Sequence, residues 1–218
     1  MLTEVKERPI LFSGPMVRAI LDGRKTQTRR IVKNHPGCGF EIGGYHKAVT
    51  DRHGEQYPAC NESFGIFAED GSWSIECPYG QPGERLWVRE SWAPASAALP
   101  SASGVVYRAD YHTGLEKRDG DQKWKPSIHM FRQDSRINLE ITGIRVERLQ
   151  AISEADAIAE GCIKLPASGR ITDTKGGQYG GRIWTTARAW YAELWNQING
   201  PLSWAENPFV WVVEFRKV

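Results

Sequence analysis

The segment from Arg136 to Leu149, RINLEITGIRVERL, sets the strongest limit on what this chain can fold into. Ile137, Leu139 and Ile141 fall on one face of an extended chain. Gly143 permits a bulge or turn, after which Ile144 and Val146 resume on a shifted phase. The chain ends in a second such segment, FVWVVEFRKV, long and apolar on one face. It sets Val210, Val212 and Glu214 on one side and Trp211, Val213 and Phe215 on the other. Shorter strands are predicted at Ile10–Phe12, at Thr26–Val32, at ERLWVRESW after a Pro82-Gly83 turn, and at Val105–Arg108. Regular crossover helices do not separate them. The predicted class is therefore α+β, a mixed β-barrel with a few peripheral helices rather than a doubly wound sheet.

Three helices are legible. Ser13-Gly14-Pro15 opens one over MVRAILDG, with Met16, Ile20 and Leu21 as its apolar stripe and Gly23 as its left-handed stop. Ser153 caps a second, with Asp156 at the third helical position, ending near Glu160 before Gly161. Thr185 or Thr186 caps a third, whose apolar positions are Ala187, Trp190, Tyr191, Leu194 and Ile198. Gly200-Pro201 stops it.

The 218 residues are read as one domain, 1–218, with irregular insertions at about 34–83, 110–130 and 165–183. A structureless loop as long as the first would be unusual, so short hairpins are expected in it, at GFEIGG and GSWSIE. Hydrophobic residues make up 40% and charged residues 25%, which excludes wholesale disorder. No apolar run is long enough for a membrane helix, and MLTEVKERP has no secretory h-region. Four cysteines without a CxxC pair read as reduced thiols. A cytoplasmic protein without a membrane partner is expected.

Net charge is only 28 − 26 = +2, but it is unevenly spread: RKTQTRRIVK, from Arg24 to Lys33, holds five cations and no acid. Such a run reads either as a solvated basic face or as a surface for phosphate.

The same stretch, Gly23-Arg24-Lys25-Thr26-Gln27-Thr28-Arg29-Arg30, fits the pattern GxKxxTxR. With Pro82 to Glu90, Ile144 to Glu160, Trp211 to Arg216 and the segment WKPSIHM, it resembles the ASCH family, small β-barrels of the PUA-like superfamily. The chain is similar to the longer ASCH proteins of phages and prophages. The resemblance implies a PUA-like barrel with long loop insertions. It offers two activities: hydrolysis of N4-acetylcytidine by an amidohydrolase whose lysine, threonine and glutamate fall here on Lys25, Thr28 and Glu160, or binding of RNA or a modified base. Cleavage of RNA is a third. Arg24, Thr26, Arg29, Arg30 and Lys33 are the residues expected to meet substrate or nucleic acid, and no cofactor is implied.

Amide hydrolysis needs a nucleophile, a proton acceptor and an oxyanion stabiliser. Thr28 supplies a hydroxyl. Lys25 can deprotonate it only as a neutral amine, which burial and nearby arginines favour and an ionised Glu160 opposes. Glu160 could orient the ammonium or protonate the leaving amine. The competing reading is a plain ion pair tying helix to barrel, with Thr28 chosen for β propensity. On a regular strand, positions 25 and 28 point to opposite faces, so both serve one site only if Lys25 lies in the turn after Gly23. Thr26, Thr28 and Arg30 then share a face, and Arg30 could hold a phosphate or a base carbonyl.

Weaker candidates are a zinc loop from Cys38, Cys60, Cys77, His35, His46 and His53, whose spacings match no structural zinc pattern, and base stacking on Trp87 or Trp92. Unligated thiols and core packing are the better readings of each.

Overall fold

A computed structural model describes residues 5–34, 40–46, 49–50, 56–57, 62–68, 74–96, 101–111, 123–173 and 182–218. The fold is α+β. Its centre is a five-stranded sheet of β1 (Glu7–Leu11), β2 (Gln27–Ile31), β3 (Arg85–Arg89), β4 (Asn138–Arg148) and β5 (Phe209–Lys217). Their order in space is β1-β3-β4-β5-β2, with β1 and β3 parallel and every other pair antiparallel. The bulge expected at Gly143 is present: the β4/β5 register slips between Ile141 and Gly143. It moves the buried set from Leu139 and Ile141 to Val146, so one strand keeps its apolar side inward along eleven residues.

Each face of the sheet has its own core. Ile10, Leu86, Val88, Leu139, Trp211 and Val213 pack on one side, with Val17 and Ile20 of helix α1 (Gly14–Leu21). Val210 and Val212 pack on the other, against Ala157 of α2 (Glu154–Ala159) and Trp190, Tyr191 and Trp195 of α3 (Ala187–Asn199). The caps fall where sequence placed them. The Ser153 hydroxyl accepts from the Asp156 N–H, the Thr186 hydroxyl accepts from the Ala189 N–H, and Gly23 takes φ 73°. Glu154 ties the two later helices together by accepting from the N–H groups of Ala187 and Arg188, at 2.5 and 3.0 Å.

Four expectations change. Among the described residues no ladder joins β1 to β2, so the sheet is open rather than a closed barrel. The two edges are linked instead by the Arg30 side chain, which donates to the Leu11 carbonyl at 2.7 Å. ERLWVRESW is not one strand. It divides into β3 and a short Trp92–Pro94 strand paired with Val105–Tyr107 in a separate sheet. GFEIGG is not a local hairpin: Phe40–His46 pairs with the distant Glu62–Ala68, which also pairs with Ser74–Glu76. Finally, the stretch 165–183 is not wholly irregular, because Ile171–Thr172 is the buried middle of a three-stranded sheet with Ile163–Lys164 and Ile183–Trp184. Both sheet changes have one cause. Partners are chosen by apolar surface available at a distance along the chain, which local pattern does not encode.

One polar interaction joins the sheet to the excursion after residue 104. Arg136, just before β4, donates to both oxygens of the buried Glu90 at 2.9 and 3.1 Å and to both oxygens of Asp110 at 2.8 Å. Its guanidinium lies 4.0 Å from the centre of the Tyr107 ring. Burial raises the pKa of Glu90, and Arg136 opposes the rise. Replacing Arg136 with Met leaves that carboxylate buried without its cation. A loss of about 3 kcal/mol in urea unfolding at neutral pH is expected. The loss should shrink as pH falls below the ordinary glutamate pKa of about 4.3, as the carboxyl becomes neutral in both states.

Candidate functional site

Lys25 does lie in the turn before β2. Its N–H and that of Arg24 both donate to the Ala19 carbonyl, at 3.0 and 2.9 Å, and the N–H of Thr26 donates to the Ala159 carbonyl at the end of α2. That last bond fixes the turn to the helix carrying Glu160. Gly161 allows the approach. It has φ +109°, and a Cβ there would meet Ala19 Cβ at 2.9 Å and Lys25 Cβ at 3.0 Å. A larger residue would push the helix end off the turn.

The ammonium of Lys25 therefore meets Glu160 directly, donating to its carboxylate at 2.6 Å and to its backbone carbonyl at 3.1 Å. The other carboxylate oxygen accepts from Arg29 at 3.0 Å. All three side chains are buried. Arg29 also donates to Glu147 at 2.7 and 3.0 Å and lies 3.5 Å from Asp156. Arg145 closes the cluster through Glu147 at 3.2 Å, Asp156 at 3.1 Å and Glu214. The layout follows from sheet register. Val212 of β5 stands between Arg29 of β2 and Arg145 of β4, so the two arginines share the face that α2 covers with its acids.

Burial lowers the pKa of Lys25. The charge and hydrogen bond of Glu160 oppose this, while Arg30 and Arg29 reinforce it. Tyr191 is pushed well above the ordinary tyrosine range by burial, then by the neighbouring Glu160, so its phenol stays protonated at neutral pH. For Asp156, burial acts upward, but the Ser153 hydroxyl and the Arg145 and Arg29 charges outweigh it and hold the carboxyl below its usual range.

A cavity of about 230 Å³ runs along the open edge of β2. Thr28, Arg29, Arg30 and Ile31 supply its floor, α3 one wall, and Met16 with Tyr79 the other. Glu160 also lines it, and Lys33 lies beyond the end of the strand. In an antiparallel pair the residues exchanging bonds alternate, and Thr26, Thr28, Arg30 and Val32 face β5. The backbone N–H and C=O groups of Arg29 and Ile31 therefore turn outward, toward the edge where the cavity lies.

Of the predicted trio, Thr28 and Glu160 line this cavity, and Lys25 sits behind Glu160. The Lys25 ammonium still reaches the Thr28 side of the sheet, for it lies 5.7 Å from the centre of the Phe12 ring, over which Arg30 also stands at 5.4 Å. The five predicted binding residues separate. Arg24 is held by Asp22 at 3.0 Å and by the Gly161 carbonyl, Arg29 is fully enclosed among carboxylates, and Thr26 is exposed outside the cavity. Arg30 and Lys33 alone of the five offer a free charge to it.

Sequence reasoning missed Glu147 and Asp156 as partners of Arg29, Arg145 as the second arginine that shares them, and Tyr79, Tyr191 and Trp195 as cavity walls. Ile198, read from sequence as an apolar position of α3, is 52% exposed and lines the cavity. Trp87 and Trp92 do not line it. Trp92 is buried in a small cluster with Val105, Tyr107 and Met130. Of the zinc-loop candidates, Cys77 is a buried free thiol, and among the described residues no group of three metal-binding side chains forms. Cys38, Cys60, His35 and His53 lie outside the described residues, as does the side chain of His46. Among the described residues no helix is long and apolar enough to cross a membrane.

Comparison of the chain with family profiles, curated proteins and solved structures finds no match in any of the three.

Two outcomes test the charge cluster. Glu160→Gln leaves the buried Lys25 ammonium without a carboxylate and takes one of three from Arg29, and should cost about 3–5 kcal/mol. Lys25→Met leaves Glu160 still paired with Arg29 and should cost less. Urea midpoints that rank the other way would contradict this account. Asp156, with its pKa lowered by folding, stabilises the protein above about pH 4, and that contribution fades as acid protonates it. Asp156→Asn should therefore flatten the acid limb of a stability–pH curve.

Proposed function

We propose that the chain is an ASCH-type protein acting on a nucleoside, an amidohydrolase that removes an N4-acyl group from a cytidine-type substrate. Its open sheet would be the PUA-like core, with the β1 and β2 edges bridged by Arg30 instead of by a ladder. One observation carries the reading. Glu160 and Thr28 both line the cavity, and the buried Lys25 ammonium lies 2.6 Å from the Glu160 carboxylate.

In this reading Lys25, as the neutral amine, takes the proton of Thr28 as its Oγ attacks the acyl carbon. The outward N–H of Arg29, next in the chain, would meet the oxyanion. The C–N4 bond breaks, the nitrogen takes the proton back from Lys25, and the nucleoside leaves. Water, deprotonated by the same amine, then attacks the threonyl ester; its C–Oγ bond breaks, Thr28 takes the proton back from Lys25, and the carboxylic acid leaves. Glu160 is a positioning residue that holds the amine. Arg29 shares its charge and so weakens its preference for the ammonium form.

The alternative, an RNA-binding face built on Arg24 to Lys33, has less support, because Arg29 is buried among carboxylates and the partly exposed Arg24 is already paired with Asp22 and the Gly161 carbonyl. For cleavage of RNA, the cavity wall holds no histidine and a single carboxylate among the described residues.

Incubation with N4-acetylcytidine should yield cytidine and acetate. Lys25→Ala and Thr28→Val should each lower kcat/KM by about 10²–10⁴-fold, while Thr28→Ser retains turnover. The rate should rise with pH and level off below the ordinary lysine pKa of about 10.4, since the reactive form is the neutral amine. No cytidine released at stoichiometric enzyme would sink the proposal.

A further inference from the structure

Amide chemistry leaves one feature of the cavity unused, a pair of cations. Arg30 and Lys33 line it, and among the described residues neither has a carboxylate partner. Arg30 gives one N–H to the Leu11 carbonyl and keeps the rest of its fork free. Lys33 is exposed at the mouth. The one carboxylate in the wall, Glu160, is already matched by Lys25 and Arg29. A cavity with surplus positive charge and spare N–H donors on Arg30 and Lys33 selects an anion rich in acceptors.

We infer that the ligand is a nucleoside monophosphate, its base toward Thr28 and Glu160 and its phosphate on Arg30 and Lys33. The inference rests on the nucleoside reading above and names the form in which that nucleoside arrives. Dimensions favour it. A rise of about 3.4 Å per residue sets Arg30 about 7 Å along β2 from Thr28, with Lys33 further on, a span of the order of one nucleotide. A volume of about 230 Å³ suits a monomer. A polymer would need an extended basic track, and the internal pairing of Arg24 and Arg29 removes one.

Calorimetric titration with cytidine and with cytidine 5′-monophosphate, beside kcat/KM for N4-acetylcytidine and its 5′-monophosphate, tests the inference. The phosphorylated compound of each pair should be favoured about tenfold, the return of one charge-assisted contact. That advantage should shrink as salt rises. Lys33→Glu, at an exposed position that folding does not need, should bring the ratio to about one or below. Equal affinity and equal turnover for both forms would overturn the inference while leaving the hydrolase reading intact. Tight binding of the monophosphate without turnover of either acyl compound would support it and reject the hydrolase. A short single-stranded RNA that binds more tightly than the monophosphate would overturn it in favour of RNA.

Discussion

The carboxylate of Glu160, buried and shared between Lys25 and Arg29, is the interaction on which the site depends. Taking an ion out of water costs several kcal/mol unless close partners replace the lost solvation. Here three elements supply the ions: the turn after α1, the strand β2 and the end of α2. None of them satisfies its charge alone. The cluster therefore acts as a registration device, since a shift of the strand or the helix by one residue would strand a charge. Ser153 at the start of α2 and Gly161 at its end fix where Glu160 emerges, and the bond from Thr26 to Ala159 locks that end to the turn.

The open edge of β2 is the second constraint. A fully closed barrel would cover that edge with another strand and leave no room beside Thr28. The edge is instead faced by α3 on one side and by Met16 and Tyr79 on the other, and the gap between them is the cavity. An unpaired edge invites pairing with another chain. Flanking helices and the Arg30 side chain restrict access to it, while the outward backbone groups of Arg29 and Ile31 stay available to a small molecule.

Within five cations of one short run, position along the strand divides the labour. Side chains alternate across the sheet, so Arg29 enters the carboxylate cluster under α2 while Arg30, its neighbour, goes to the opposite face over Phe12. Lys33 lies beyond the end of β2 and stays in solvent. What looks in sequence like one basic surface is a structural ion, a cavity cation and an exposed one.

Local features were legible in the sequence because their causes are local. The caps at Ser153 and Thr186, the left-handed stop at Gly23, the bulge at Gly143 and the alternation of β4 and β5 follow from steric freedom, hydrogen-bonding side chains and periodicity within a few residues. The requirement that Lys25 precede the strand was also readable, since alternation forbids the other arrangement. The partners were not readable. That Glu62–Ala68 pairs with Phe40–His46, that Arg145 stands across Val212 from Arg29, and that the sheet stays open at β2 all depend on register between segments far apart in the chain. Register is set by how buried surface and buried charge balance once the whole molecule has closed, so sequence determined which elements form and the tertiary structure alone decided which side chains meet.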